Sequence, residues 1–328
     1  MSRNERARAP RARRAHHIIT RQSLRAIPEP RATTNIASHY EMVCCSERPR
    51  CVTLYAVRHG EAIHNIREKQ AKNECEAAIL AENSRCSKEE VSEAKEAFRQ
   101  VALHDPNLHD APLSDAGKAG ALEVREIIQM LVTSGLPKPT LVLTSPLQRA
   151  LQTTALLFPG HNQVRVREEL RERRTGLPCD ERSSAREMSR RGSFRNMRFS
   201  QVPKRATSRR TSIIKLAKEV LGAGRTMSPS QRDSNADEEV EQKADVRKRS
   251  EQLFALLGRY RKHGAVAIVT HKGWLREFER GPLGRIHAAE FGNLEVRVFT
   301  LQLGPGGQVH VARRHPPEEG HLAEEQRA

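Results

Sequence analysis

An arginine and a histidine stand side by side at the end of a short apolar segment. Residues 51–57 have the apolar, β-branched pattern of a strand buried on both faces, and Arg58, His59, Gly60 and Asn65 follow. An unprotonated imidazole can attack phosphorus and hold the phosphoryl group covalently when fixed cations neutralise the phosphoryl oxygens. A neighbouring arginine lowers the imidazole pKa and also binds phosphate. The segment therefore predicts a phosphate site with His59 as nucleophile.

A second arginine, Arg149, comes shortly after another apolar segment. Residues 140–144 predict a strand, and Ser145 followed by Pro146 predicts the N-cap and the first residue of a helix. Arg149 would then lie near the start of that helix, close to the carboxyl end of the strand.

A second histidine, His271, follows the most apolar segment of the chain, residues 265–270. It would stand where a strand meets the positive N-terminus of a helix. The carboxyl ends of parallel strands meet at one edge of an open α/β sheet. His59, Arg149 and His271 can therefore converge although they are far apart in sequence.

The first segment resembles the signature of a known family. Arg58-His59-Gly60-Glu61 followed by Asn65 is similar to the motif of the histidine phosphatase superfamily, the phosphoglycerate-mutase-like group (branch 1). The resemblance covers residues 52–182 and 246–303. It includes four later stretches in the family's order, namely residues 110–117, 144–153, 170–182 and 271–276.

The resemblance implies an α/β fold, a three-layer sandwich with a mostly parallel central sheet and helices on both faces. It implies His59, Glu172 and His271 as catalytic residues, with Glu172 as proton donor and then base. It assigns the phosphate to Arg58, Asn65, Arg149 and His271. No cofactor and no metal are expected. Three other acids lie near Glu172 and leave its assignment open: Glu168, Glu169 and Glu181.

Two alternatives to a phosphatase remain. Cys179-Asp180-x-Arg182 resembles a plant and fungal phosphoglycerate-mutase-like subgroup, and this favours a phosphatase over a mutase that returns the phosphoryl group to a second hydroxyl. The other alternative is a catalytically inactive protein whose basic segments bind a polyanion. The substrate would be a small-molecule or protein phosphomonoester.

The net charge of +17 is concentrated in two segments. Residues 1–50 contain 11 Arg and four acidic residues, and residues 190–232 contain 12 Lys or Arg and one acidic residue, so the remainder sums to −1. Their weak apolar periodicity favours disorder over a folded basic face. Contact with nucleic acid or acidic lipid is therefore a secondary hypothesis, and an organellar import signal in the Arg-rich N-terminus is another.

Cysteine spacing and hydropathy limit the class of protein. The six cysteines show neither a Cys-x-x-Cys pair nor metal-like spacing with histidine, which favours a reducing, cytoplasmic location. No apolar run is long enough to span a bilayer. Two His-Asp pairs, His104-Asp105 and His109-Asp110, lack a third convergent ligand and are interpreted as solvated loop residues.

Composition and periodicity predict the domain organisation. A basic, disordered tail over residues 1–50 precedes a catalytic domain over residues 51–313, with a basic flexible insertion at about 190–236, and a polar tail follows over residues 314–328. Helices are predicted from Ser87, from Ser114 and over residues 237–262, and a hairpin over residues 294–303 and 308–313. Residues 61–86 are polar and give no clear pattern.

Overall fold

The computed structural model describes residues 50–81, 87–203, 240–303 and 309–315, all within the unit Pro49–Ala328. The predicted basic tail up to residue 49, the greater part of the predicted insertion and the end of the C-terminal tail lie outside these residues. The hypotheses of polyanion binding and organellar import concern mainly those segments. Among the described helices, none combines the length and the apolar character needed to cross a membrane.

The described elements alternate between strands and helices along most of the chain. The strands are β1 (Arg50–Arg58), β2 (Leu141–Thr144), β3 (Val164–Val166), β4 (Met197–Arg198), β5 (Ala265–Thr270), β6 (Val296–Leu303) and β7 (Val309–His315). The helices are α1 (Ile63–Ala81), α2 (Lys88–Leu103), α3 (Asp115–Thr133), α4 (Gln148–Leu157), α5 (Ala185–Arg190), α6 (Lys243–Arg259) and α7 (Lys272–Arg280).

The strands form one sheet in the order β4-β3-β2-β5-β1-β6-β7. The five strands from β4 to β1 are mutually parallel, whereas β6 and β7 continue the sheet in antiparallel fashion. Central parallel strands are buried on both faces and have continuous apolar sequences, as β1 and β5 do. The predicted fold class, with a mostly parallel sheet, is confirmed.

Helices cover both faces of the sheet, so the core has two halves. Tyr55 and Val57 of β1 pack on one side with residues of α3 and α4, while Leu54 and Ala56 pack on the other with residues of α6 and α7. This alternation follows from the two-residue period of a strand. In the central strands β2 and β5, the polar side chains lie at the carboxyl ends, at Thr144 and Thr270.

The sequence predicted one of the two helices at the start of the domain and missed the other. Helix α1 was not predicted, because its 19 residues bury few side chains and have almost no amphipathic periodicity. Helix α2 was predicted correctly, with Ser87 and Glu90 forming a capping box. At the end of this helix, Val101 is 80% exposed and Leu103 is buried.

Residues 190–203 were assigned to the basic insertion, but they are part of the fold. They include β4, which pairs with β3, and Phe194, Met197 and Val202 are buried against the core. Periodicity does not show this, because the segment contains only a two-residue strand and short turns. Residues 204–236 of the predicted insertion are not described.

Asp110 is another correction, since it is buried and not solvated. Its carboxylate accepts hydrogen bonds from the backbone N–H groups of Gln148 and Ser183 at 2.7 and 2.8 Å. Its φ of 46° lies in the left-handed region, which asparagine and aspartate tolerate better than most residues. Asp110 thus joins its own loop to the start of α4 and to the segment that follows residue 180.

Candidate active site

The carboxyl ends of β1, β2 and β5 lie next to one another at one edge of the sheet. The backbone N–H of His59 donates to Thr270 at the end of β5, and that of Ser145 donates to Val269. The rings of His59 and His271 lie 5.0 Å apart between centroids. The structure therefore brings together the two histidines that the sequence placed at separate strand ends.

The ring of His59 has a defined tautomer. Its Nδ1 lies 2.7 Å from the carbonyl oxygen of Gly60, and a carbonyl oxygen can only accept a hydrogen bond. Nδ1 must therefore carry the proton, so Nε2 of the neutral ring has the lone pair. Nε2 makes no hydrogen bond to any described residue. It is the atom of His59 that can attack an electrophile.

The loop that carries His59 is held from several directions. The carbonyl oxygen of His59 accepts hydrogen bonds from the backbone N–H of Leu294 at 3.3 Å and from Asn293 Nδ2 at 3.4 Å. The N–H of Gly60 donates to Thr153 Oγ1 at 3.1 Å, and Thr153 in turn donates to the carbonyl oxygen of Arg149. These bonds connect the loop of His59 to α4 and to the segment before β6.

Gly60 and Gly117 allow the loop and helix α3 to approach closely. A Cβ at Gly117 would lie 2.0 Å from the carbonyl oxygen of Glu61, and one at Gly60 would lie 2.8 Å from the carbonyl oxygen of Gly117. Both distances are too short for any residue larger than glycine. Glu61 accepts a hydrogen bond from Ser114 Oγ at 2.9 Å, so its side chain supports the N-terminus of α3.

Arg58 and Arg149 bring the positive charge of the site. Arg58 donates through Nη1 to the carbonyl oxygen of Phe291 at 2.7 Å. Arg149 is buried and donates to the carbonyl oxygen of Cys179 at 2.6 Å and to Asp180 Oδ1 at 3.3 Å. The Nε atoms of both arginines are buried and have no hydrogen-bond partner among the described residues. Both can still donate to an anion.

His271 was placed by sequence at the N-terminus of a helix, and it occupies the N-cap position of α7. Its Nε2 lies 2.7 Å from Ser145 Oγ, and its buried Nδ1 has no partner within the described ranges. The predicted N-cap role of Ser145 was wrong. Helix α4 begins at Gln148 with Leu147 as N-cap residue, because Ser145 contacts His271 and a turn separates it from the helix.

Burial and the two arginines keep the imidazoles neutral. The pKa of His59 lies well below its usual value of 6.5, first because the ring is buried and second because Arg149 and Arg58 are close. Burial and Arg149 lower the pKa of His271 in the same way. At neutral pH the site therefore combines two guanidinium charges with uncharged rings.

Glu172 lies at the N-terminus of α7. Its Oε1 accepts from the backbone N–H of Arg173 at 2.9 Å, and its Oε2 accepts from that of Gly273 at 3.1 Å. A Cβ at Gly273 would lie 2.4 Å from Oε1, so a side chain there would displace the carboxylate. The preceding segment is fixed by Trp274 Nε1, which donates to the carbonyl oxygen of Glu169 at 2.7 Å.

Two of the competing acids are bound to arginines. Glu169 pairs with Arg167 at 2.7 Å, and Glu168 pairs with Arg171 and Arg182. Glu172 has no such ion pair in the part of the chain that is described, and its charge acts on Arg58. Among these three acids, Glu172 is the one without an arginine partner in the described residues, and it stays the predicted proton donor.

Asn65 contacts a residue that the sequence interpretation missed. Its Oδ1 accepts from the backbone N–H of Ala62 at 3.0 Å, and its Nδ2 lies 3.0 Å from His64 Nε2. The ring of His64 is buried, with its centroid 6.3 Å from that of His59. The sequence signal was a histidine five residues after His59, and without a prediction of helix α1 nothing indicated that it would lie near that residue.

The unpaired nitrogen atoms indicate what the site can bind. Two arginine Nε atoms and the Nδ1 atoms of His64 and His271 are buried without partners among the described residues. Such groups require acceptors, and an anion with several oxygens can serve more than one of them. Within the described ranges, no cluster of three or more His, Cys, Asp or Glu side chains is arranged to hold a metal ion.

Comparison with known sequences identifies a family match over part of the chain. Residues 106–233 match the family model of the histidine phosphatase superfamily, branch 1. The matched range contains Arg149 and Glu172, and it lies between His59 and His271. No curated protein sequence matches the chain.

Several solved structures resemble the chain at low identity. "Mycobacterial hydrolase 1" is 17% identical with a TM-score of 0.42, covering 82% of this chain and 98% of its own. A mycobacterial glucosyl-3-phosphoglycerate phosphatase in complex with VO3 is 17% identical with a TM-score of 0.42, covering 80% and 97%. A phosphoserine phosphatase from Entamoeba histolytica is 17% identical with a TM-score of 0.41, covering 81% and 98%.

The sequence motif, the family match and the geometry of the site agree with one another. The match contains two of the predicted site residues, and the fold brings a third and a fourth to the same sheet edge. The family model that matches residues 106–233 is thus the one whose signature the segment from Arg58 to Asn65 resembles.

Proposed function

We propose that the protein is a phosphatase that hydrolyses phosphomonoesters through a phosphohistidine on His59. The observation that carries the proposal is the protonation of that ring. Nδ1 is committed to the carbonyl oxygen of Gly60, so the lone pair is on Nε2, and the lowered pKa keeps the ring neutral. A neutral imidazole beside two guanidinium groups is suited to attack a phosphate.

In the first step, Nε2 of His59 attacks phosphorus, and the bond between phosphorus and the ester oxygen breaks. Arg58, Arg149 and His271 donate to the phosphoryl oxygens as negative charge develops on them. Glu172, in its protonated form, gives its proton to the leaving oxygen, which departs as an alcohol. Asn65 keeps the loop in place through its bond to the Ala62 N–H.

In the second step, water attacks the phosphohistidine. Glu172 accepts a proton from the water, the phosphorus–nitrogen bond breaks, and inorganic phosphate leaves. The ring of His59 is thereby regenerated as the neutral tautomer. The cations of the site belong to the chain, so the balance of both steps requires only ester and water.

We assign this activity to the predicted domain over residues 51–313. The resemblance of Cys179-Asp180-x-Arg182 to the plant and fungal subgroup supports hydrolysis over mutase chemistry. The aspartate of this motif lies beside Arg149, with its Oδ1 3.3 Å from Nη2. The motif therefore adjoins the proposed phosphate site.

The test is to incubate the protein with a labelled phosphomonoester and to isolate protein-bound phosphate. Phosphohistidine is lost in acid and retained in alkali, and we expect such a species on His59. The His59→Ala variant should lack it and lose turnover by about 10⁴-fold or more. His104→Ala is the matched control, because His104 is exposed at the end of α2.

The same assay separates hydrolysis from transfer. A phosphatase releases inorganic phosphate, whereas a mutase given 3-phosphoglycerate returns an isomeric phosphomonoester. Turnover that survives His59→Ala would contradict the proposal, as would the absence of an acid-labile phosphoprotein.

A further inference from the structure

We propose that His64 is an additional phosphate-binding residue, whose Nδ1–H donates to an oxygen of the group that His59 accepts. The inference deepens the proposed function and rests on it. It adds a third imidazole to the site, on the first turn of helix α1. No part of the sequence motif assigned this residue a role.

The position of His64 is the first argument. His64 is the second residue of α1, and its side chain is 7% exposed. Its ring centroid lies 6.3 Å from that of His59, with the two planes inclined by 46°. This separation is too long for a direct hydrogen bond between the rings. A tetrahedral group attached to His59 could bridge the space between them.

The protonation of the ring is the second argument. Asn65 Oδ1 accepts from the N–H of Ala62, and this bond fixes the orientation of the amide. Asn65 Nδ2 therefore faces His64 Nε2, at 3.0 Å. An amide nitrogen only donates, so Nε2 must accept. The proton of the neutral ring is consequently on Nδ1.

The third argument is that this Nδ1–H has no acceptor. The atom is buried and makes no hydrogen bond within the described residues. A buried donor without a partner is unfavourable, and native proteins usually supply an acceptor from protein, water or ligand. Burial and the nearby charges of Arg149 and Arg58 lower the pKa of His64, so the ring stays neutral and keeps this single donor.

The surroundings favour an anionic acceptor. Arg58 and Arg149 act electrostatically on His64 as well as on His59 and His271, so all three rings share one field of positive charge. An oxygen of a phosphate bound there would be attracted by both guanidinium groups and would accept from Nδ1. The competing explanation is that His64 serves only to orient Asn65.

Two amide variants distinguish these roles. The amide nitrogen of asparagine can occupy roughly the place of Nδ1 and donate, whereas the amide oxygen of glutamine can reach roughly the place of Nε2 and accept from Asn65 Nδ2. His64→Asn should therefore keep the donor towards the phosphate and lose the contact with Asn65. His64→Gln should do the reverse, and His64→Ala should lose both.

The measurement is the inhibition constant of vanadate and of inorganic phosphate against phosphomonoester hydrolysis by the full chain. We expect His64→Asn to stay within about 10-fold of the unaltered protein. His64→Gln and His64→Ala should lose about 100-fold in kcat/KM, and inhibition by both anions should weaken. The opposite order, with glutamine retained and asparagine impaired, would show a purely structural role and overturn the inference.

A second measurement is made on the unaltered protein. In protein with ¹⁵N-labelled histidine, the Nδ1–H of His64 should shift and become protected from exchange when vanadate is added, with the signal assigned by its loss in His64→Asn. An unchanged resonance at saturating vanadate would overturn the inference. If His59 forms the phosphoenzyme while all His64 variants bind anions normally, only the role of His64 fails. If His59→Ala remains active, the proposed function itself fails.

Discussion

The position of the Glu172 carboxylate depends on a neighbouring glycine, Gly273. Both of its oxygens accept backbone N–H groups, one of them from Gly273 at the start of α7. A Cβ at position 273 would lie 2.4 Å from Oε1, so the observed place of the carboxylate depends on the glycine. Residues 271–276 therefore contribute more to the site than His271, since Gly273 leaves room for the proposed proton donor.

Replacing Gly273 by alanine should displace Glu172 and leave the phosphate-binding residues in place. We expect kcat to fall by about 10²- to 10⁴-fold for alkyl phosphates, which need a protonated leaving oxygen. The loss should be much smaller for p-nitrophenyl phosphate, whose leaving group is weakly basic. Steady-state kinetics with both substrates provide the measurement.

The control is the double variant Glu172→Gln/Gly273→Ala, compared with each single variant. If both act on the same carboxylate, the double variant should be no slower than the worse single variant. Additive losses would show that Gly273→Ala damages something other than Glu172, and an equal loss on both substrates would argue against proton donation.

At the level of the elements, the site depends on how closely α3 approaches the loop after β1. Ser114 caps α3 through its Oγ, and the same residue donates to the backbone and side chain of Glu61. Gly117 then touches the loop backbone one turn later. Helix α3 therefore supports the loop of His59 although none of its residues is proposed to contact the substrate.

Gly117→Ala should weaken this contact and lower both stability and activity. Its Cβ would meet a backbone oxygen at 2.0 Å, and neither segment can yield without breaking other hydrogen bonds. We expect the free energy of unfolding to fall by about 1–3 kcal/mol or more, measured by urea denaturation. Gly258→Ala in α6 is the control, because a Cβ there meets no atom within 4 Å. A wild-type midpoint for Gly117→Ala would contradict this account of the contact.

The sequence predicted the elements whose patterns are strong and missed those whose positions depend on packing. Strand β5 was placed at its observed ends, because its apolar run is continuous and Gly264 precedes it. Helix α1 was missed for lack of periodicity, and with it the position of His64. The packing of β4 against β3 has no local signature in a two-residue strand. The contact between Ser145 and His271 joins residues 126 positions apart and could not be read locally.

For the whole molecule, burying three imidazoles makes stability depend on pH. The pKa values of His59, His64 and His271 all lie well below 6.5 in the folded protein, chiefly because of burial. In the unfolded chain these rings take up protons near pH 6.5. The unfolded state therefore binds more protons below that pH, so the free energy of unfolding decreases as the pH falls. Buried Asp180, whose pKa is raised by burial, acts in the opposite direction.

The variant His64→Asn isolates the contribution of one ring to the pH dependence of the free energy of unfolding. Between about pH 6 and pH 5, the stability of the unaltered protein should fall more steeply than that of the variant. The difference should approach about 1.4 kcal/mol per pH unit, the value for one proton. Urea denaturation in phosphate-free buffer measures both slopes, and equal slopes would show that His64 titrates alike in the two states.

The central position of β1 affects how the protein is made. Its two sheet neighbours, β5 and β6, are both encoded far downstream, and Arg58 meets Phe291 across 233 residues. During translation this apolar strand emerges from the ribosome long before either partner, so both of its edges lack their native neighbours. The nascent chain cannot complete the backbone contacts around His59 until Asn293 and Leu294 have been synthesised. The contacts that hold the His59 loop are therefore completed late in synthesis, and β1 has neither of its sheet neighbours until then.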